Sequence, residues 1–287
     1  MYPVVHRRVR VDVSGEPAWG RIEGSEIVLD DGRRLAEADA VYLAPVQPRT
    51  IFATHLTYRS RVEEYAARVP AEPSYFVKPA TTLNGHRGLL RRPAGTRFLN
   101  YEGEVAAVVG RRMKGLREDE VLAHVAGFAC ANDVGLHDFR HADRGSMLRV
   151  KGQDGFCPIG PELVPAAEFD PERFTLRTYL NGEVVQEGGA GDLIWPIAYL
   201  LADLNRLITL EPGDVILTGT PAHSRPMEPG DVVEVEVDGL GRLSNTVVDW
   251  AVDLSGPGEQ PATSANTLHV ALAIPEDEAE RMAAEPA

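Results

Sequence analysis

The sequence predicts an α+β fold that is mainly β. Three observations point there. Valines alternate with polar residues near the N-terminus and again at Val233, Val235 and Val237. An Asn181-Gly182 turn separates two β-prone runs. The segment Glu-Pro-Gly-Asp-Val occurs twice, at 211–215 and 228–232, each copy a Pro-Gly turn feeding a strand.

Taken in order, Val9, Val11 and Val13 suit a half-buried strand, and Trp19 to Gly24 followed by Ile27 to Gly32 reads as strand, turn, strand, turn. Residues 1–48 are therefore expected to form a small N-terminal β subdomain, closed by a linker at Pro45 and Pro48. From there a main domain is expected to run over 49–255. Within it Tyr58, Val62, Tyr65, Ala66 and Val69 recur at helical spacing until Pro70 stops them. Val105 to Val109 reads as a strand ended by Gly110. Val121, Leu122, Val125, Phe128 and Ala129 suit one face of a helix ending near Cys130. Thr175 to Leu180 and Val184-Val185 form the hairpin, and Leu200, Leu201, Leu204, Leu207 and Ile208 suit a helix with Pro196 in its first turn. Residues 256–287 are rich in Ala, Glu, Pro and Ser. Thr267 to Ile274 is expected as a strand and Glu276 to Glu285 as a short helix, with a mobile tail as the alternative.

At 287 residues the chain can bury a core without disulfides or metal. Its 29 basic and 43 acidic residues leave a net charge of −14, which argues against a nucleic-acid binder, although an acidic surface can still enclose a basic pocket. Cys130 and Cys157 form no CxxC pair and read as two buried free thiols, with a single bridge between them as the alternative. No apolar run reaches the length of a membrane span, and the start of the chain lacks the apolar core of a signal peptide, so a cytoplasmic protein is expected. The motifs GxSxG, HExxH and the P-loop are absent, and the GxG at Gly189 and Gly191 meets Ile194 where the dinucleotide fingerprint needs Gly. No nucleotide or redox cofactor is expected.

Glu102 and Glu104 stand two apart at the start of the Val105 strand. Side chains alternate along a strand, so both carboxylates share a face, about 7 Å apart. Two such anions repel unless a cation sits between them, and Mg²⁺ asks for six oxygen donors. Asp133 offers a third. An ExE pair on a strand is common on solvated surfaces, and Asn-Asp is commonly a turn or cap. Lys78 and Lys151 stand beside apolar runs, where a lysine is drawn inward or merely snorkels.

Four segments together resemble the fumarylacetoacetate hydrolase superfamily: 100–110, 127–134 (GFACANDV), 149–160 (RVKGQDGFCPIG) and 210–221 (LEPGDVILTGTP). Their order and spacing match from about Pro45 to Val248. The RVK-x-x-DG box and the run Leu176 to Glu183 are most similar to the homoprotocatechuate-pathway isomerase/decarboxylase branch. The resemblance implies a mixed β-roll, a homodimer and a Mg²⁺ or Mn²⁺ site at Glu102, Glu104 and Asp133. It also implies that Lys151 helps hold a metal-bound substrate and that Gly219 and Thr220, in the TGTP loop, meet the substrate carboxylate.

A 2-oxo acid can chelate such a metal through its carboxylate and keto oxygen, and an enolate stabilised there serves decarboxylation, tautomerisation or C–C hydrolysis. Hydrolysis also needs a base for water. Many relatives carry Asn-Tyr-x-x-His-x-x-Glu on a short lid helix. Here Tyr58 and Glu64 match, Thr57 replaces Asn, and Arg61 replaces His. Arginine is a poor base. Arg61, Glu64 and Arg68 also fit one solvated helix face. His137 stands where relatives commonly carry Arg, and could bind a substrate oxygen or move a proton. Lys78, Arg140, Arg144 and Arg149 are candidate contacts for substrate carboxylates, and His55 and His141 are undecided. The expected function is a divalent-metal-dependent decarboxylase/isomerase acting on an unsaturated 2-oxo diacid, with Lys151, Glu64 and His137 catalytic and Tyr58, Arg61, Lys78, Arg140, Gly219 and Thr220 binding substrate. An acylpyruvate-type C–C hydrolase using His137 or His55 is the first alternative, and a catalytically impaired paralogue the second.

Overall fold

The computed structural model describes residues 6–284 except 144, 253 and 255. Arg144, Glu285 and residues 1–5 lie outside it.

The main sheet is mixed and has seven strands. In spatial order these are Ser74–Lys78, Ile51–His55, Val215–Leu217, Gly103–Val109, Val125–Asn132, Cys157–Pro165 and Leu83–Asn84. Its two central strands are buried along their whole length, the pattern of a strand covered on both faces. Parity sorts their side chains. Ala106 and Val108 join one hydrophobic cluster with Ala129 and Ala131, whereas Val105, Ala107 and Val109 join another with Phe128 and Cys130. A second sheet of five strands, Glu183–Gly189, Thr175–Leu180, Val232–Val237, Gly241–Trp250 and Leu89–Pro93, packs against the second cluster through Leu176, Val235 and Val237. A third, antiparallel sheet of residues 9–43 has its own small core of Val9, Val11, Ile27, Leu29, Ala40 and Tyr42. The architecture is the mainly β, α+β roll expected from the sequence.

The repeated Glu-Pro-Gly-Asp-Val turns share one stitch. Asp214 accepts from the Glu211 N–H at 2.8 Å, and Asp231 from the Glu228 N–H at 2.7 Å. Gly213 and Gly230 hold φ of 94° and 98°, which only glycine adopts without strain. The 175–189 hairpin and the helix Ile197–Leu207 also form, although Leu207 and Ile208 are exposed rather than on the buried face. Both cysteines are buried free thiols.

Three expectations need correction. The helical spacing from Tyr58 to Val69 yields a helix of only Arg59–Glu64, because Ala66 takes a positive φ of 48°. The run Val121 to Ala129 is not one helix. A short turn, Glu118–Val121, hands over to the strand Val125–Asn132, and a strand buried on both faces needs no alternation that would betray it. Thr267 to Ile274 is not a strand. Ser264 caps a helix Ala265–Leu272 by accepting from the Thr267 N–H at 3.1 Å, and Ala273 ends it at φ 50°.

Candidate active site

Parity and register build the site. Gly103 pairs with Asn132 and Glu104 with Ala131 in the antiparallel ladder. One step further, the Asp133 N–H donates to the Glu102 carbonyl at 2.8 Å, and the Asn132 side chain accepts from the Glu102 N–H at 2.8 Å. Glu102 and Glu104 therefore face the same side as Ala106, and Asp133 the same side as Ala131. Oxygen atoms of Glu102, Glu104 and Asp133 lie within 4.8 Å of one another.

Each carboxylate has a fixed second partner. The Gly219 N–H donates to Oε2 of Glu104 at 2.7 Å. Lys78 Nζ, fully buried, bonds Asp133 Oδ1 and donates to the Phe156 carbonyl at 3.0 Å. Lys151 Nζ reaches Glu102 Oε2 at 2.7 Å, the Asp133 carbonyl at 2.5 Å and Asp133 Oδ2 at 3.1 Å. Burial alone would raise the Asp133 carboxyl, but Lys151 and Lys78 outweigh it and hold Asp133 below the usual carboxylate range. Glu104 goes the other way. Burial, then the charges of Asp133 and Glu102, push it well above its ordinary value. Burial also opposes the charge on Lys151, and the Asp133 and Glu102 anions more than offset this.

These residues open on a cavity of about 920 Å³. Arg61, Glu64, His137, Arg140, Lys151 and Thr220 line it. Arg61 and Glu64 are not a solvated helix face. Arg61 is 4% exposed, pairs with Glu64 at 2.8 Å, reaches Glu102 at 3.5 Å and lies 4.4 Å from the centre of the Tyr65 ring. Glu64 is held further by Arg225 at 2.8 Å and by the His223 N–H at 3.1 Å. Burial would raise its pKa, but Arg61 and the other donors lower it. It is a fixed anion, poorly suited to carrying a proton. His137 is buried with neither ring nitrogen hydrogen-bonded, and burial followed by Lys151, Arg140 and Arg61 keeps it neutral. His55 also lines the cavity, and is lowered by burial and then by Arg140.

Three expected substrate contacts stand elsewhere. Tyr58 is wholly buried in the second hydrophobic cluster and does not line the cavity. Lys78 and Gly219 stand behind Asp133 and Glu104, where they fix the carboxylates rather than meet a substrate. Arg149 pairs with Asp143 at 3.4 Å, and His141 with Glu259 at 3.7 Å.

Sequence reasoning missed Gln186. Its Oε1 accepts from the Gly103 N–H at 3.1 Å and from Thr178 at 2.9 Å. Its Nε2 donates to Thr220 Oγ1 at 3.1 Å and to the carbonyls of Pro221 and Ala222 at 2.9 and 3.0 Å. One buried amide thus ties the strand between Glu102 and Glu104 to the Thr220 loop. A glutamine in a strand carries no sequence signal for this. Arg225 and His269 were also missed.

An all-oxygen trio in which burial and two anionic neighbours push the Glu104 carboxyl up fits a hard divalent cation. Fold and site together define a rolled mixed sheet carrying a carboxylate centre of that kind. The chain belongs to the fumarylacetoacetate hydrolase family: the family described as fumarylacetoacetate (FAA) hydrolase C-terminal matches residues 50–248. The chain is 37% identical over 243 residues to a 4-hydroxyphenylacetate degradation bifunctional isomerase/decarboxylase of Salmonella dublin, covering 84% of this chain and 55% of that protein. It thus spans about half the length of that relative. It is 33% identical to the mitochondrial oxaloacetate tautomerase of Xenopus laevis, with 79% and 75% covered. A crystal structure of 5-carboxymethyl-2-hydroxymuconate delta-isomerase from Mycobacterium smegmatis superposes with a TM-score of 0.76 at 34% identity, over 86% of this chain and all of that one.

Proposed function

We propose that the protein is a divalent-metal-dependent isomerase/decarboxylase acting on a 2-oxo diacid. The observation that carries the reading is the trio of Glu102, Glu104 and Asp133, the last two buried, on a cavity that Arg61, Arg140 and Lys151 also line. A Mg²⁺ or Mn²⁺ ion held by these three would supply Lewis-acid polarisation of the substrate's keto group.

The chain's own groups supply the rest. Lys151, Arg61 and Arg140 bring positive charge to the cavity wall, which suits a substrate with a carboxylate at each end. Lys151 stands nearest the carboxylates and opposes the negative charge that develops on the keto oxygen. Thr220 presents its hydroxyl in a loop fixed by Gln186. His137, neutral and without a hydrogen-bond partner, is free to bind a substrate oxygen on the cavity wall. Arg61 stays protonated and cannot activate water.

C–C hydrolysis is a second reading, favoured by the two neutral imidazoles, His55 and His137, on the same wall. Pyruvate release from oxaloacetate and from acetylpyruvate, measured side by side with Mg²⁺ and then with EDTA, separates the two. Metal-dependent release from oxaloacetate alone supports the lyase/isomerase reading. Release from acetylpyruvate overturns it in favour of hydrolysis.

A further inference from the structure

A cavity of about 920 Å³ is large for the site proposed above. Small-molecule pockets run from roughly 300 to 1,000 Å³, and a four-carbon oxo acid bound at the carboxylate trio would leave most of this one empty. The wall facing the empty part does not come from the rolled sheets. Asn266, His269 and Val270 of the helix Ala265–Leu272 supply it, together with Ala273, Ile274 and Pro275 of the turn that follows. All of these lie beyond residue 248, where the family match ends.

This wall is anchored. The Tyr65 hydroxyl donates to the Val270 carbonyl at 3.0 Å, and Asn100, two residues before Glu102, donates to the Ala271 carbonyl at 2.8 Å. Phe98 packs with Leu268, Ala271 and Ala279. The contacts run without a break from the metal end: Glu102 to Arg61 at 3.5 Å, Arg61 to the Tyr65 ring at 4.4 Å, and the Tyr65 ring to the His269 ring at 5.6 Å. His269 is oriented. Its Nδ1 stands 2.7 Å from the Ile274 carbonyl, which can only accept, so Nδ1 carries the hydrogen. Nε2 is left without a hydrogen-bond partner among the described residues.

We propose that the helix Ala265–Leu272 is the specificity wall of this site. On this inference the substrate is a 2-oxo acid longer than four carbons, its chain lying along Tyr65 and Val270 and a hydroxyl near its far end donating to Nε2 of His269. The inference rests on the reading of the carboxylate trio as the 2-oxo end of the site.

The test uses the full chain loaded with Mn²⁺ and two probes in calorimetric titration. Oxalate reaches only the metal end, whereas 6-hydroxy-2-oxohexanoate extends away from it and ends in a hydroxyl that can donate. His269→Ala and Val270→Trp are each expected to weaken 6-hydroxy-2-oxohexanoate by about tenfold, the loss of a hydrogen bond or of fit. Affinities for Mn²⁺ and oxalate should stay within about twofold, well under that tenfold step. Unchanged 6-hydroxy-2-oxohexanoate affinity in both variants overturns the inference. So does a parallel loss of oxalate and Mn²⁺ binding in both, which would mark the wall as structural only. Failure of the unaltered protein to bind Mn²⁺ or oxalate overturns the metal-end reading and this inference with it. Failure of 6-hydroxy-2-oxohexanoate alone to bind overturns this inference and leaves the metal end standing.

Discussion

The backbone N–H of Gly219 donates to Oε2 of Glu104 at 2.7 Å, across 115 positions of sequence. That bond joins the loop after the first Glu-Pro-Gly-Asp-Val strand to the carboxylate trio. Gly219 holds φ at 93°, and a Cβ there would meet Thr57 Oγ1 at 1.8 Å. Gly219→Ala is therefore expected to cost on the order of 3 kcal/mol in stability, through left-handed strain and displacement of Thr57. Urea unfolding checks this, and an unchanged midpoint would show that the loop yields easily.

Glu104→Gln and Asp133→Asn should part company. Burial already opposes a charge on Glu104, and an amide oxygen there can still accept from the Gly219 N–H, so the first variant should fold with little loss. Asp133 pairs with Lys78 and shares Lys151 with Glu102, so the second strips the buried Lys78 ammonium of this anion, leaves Lys151 to Glu102, and should cost about 3–5 kcal/mol. Both should weaken Mn²⁺ by more than the roughly 10–100-fold that changes around a metal ligand cost. Calorimetry for the metal and urea unfolding for stability measure the two effects separately.

Gln186→Leu should destabilise by about 2–4 kcal/mol, because it orphans the Gly103 N–H, Thr178, Thr220 and two carbonyls in a buried setting. Its effect on Mn²⁺ affinity should be smaller than that of Glu104→Gln. An unfolding curve matching the unaltered protein would show that the amide is dispensable.

How much of this was legible in the sequence follows from parity and charge. Glu102 and Glu104 two apart before an apolar run dictate a shared face, and that face is where the structure has them. The strand carrying Asp133 was hidden, because Val125 to Asn132 is buried on both faces and its apolar spacing imitates a helix. Tyr58 matched a lid motif yet packs into the core, since spacing shows a helix face but not what covers it. Gln186 and His269 gave no local sign. Their roles come from contacts to Gly103 and Thr220, and to Tyr65 and the cavity, that only the folded chain creates.

His86 gives a pH signature apart from the site. Its Nδ1 accepts from the Ser244 N–H at 3.0 Å, and its ring meets Tyr42 edge-on at 4.9 Å, which joins the N-terminal sheet to the rest. Burial, then the charge of Arg87, pushes the imidazole down to about 4. The unfolded chain binds this proton nearer 6.5, so the stabilisation is complete above about 6.5 and is lost as pH falls toward about 4. His86→Gln should flatten the stability difference between pH 7 and pH 4 relative to the unaltered protein. Equal slopes for the two would contradict this.

The most direct test of the central claim is the rate of pyruvate release from oxaloacetate, referred to the Glu102→Gln variant at the same Mg²⁺ concentration. The account predicts a rate well above that variant's, abolished by EDTA and restored when Mg²⁺ is returned. A rate that survives EDTA, or that Glu102→Gln leaves intact, would contradict the carboxylate trio as the seat of the chemistry.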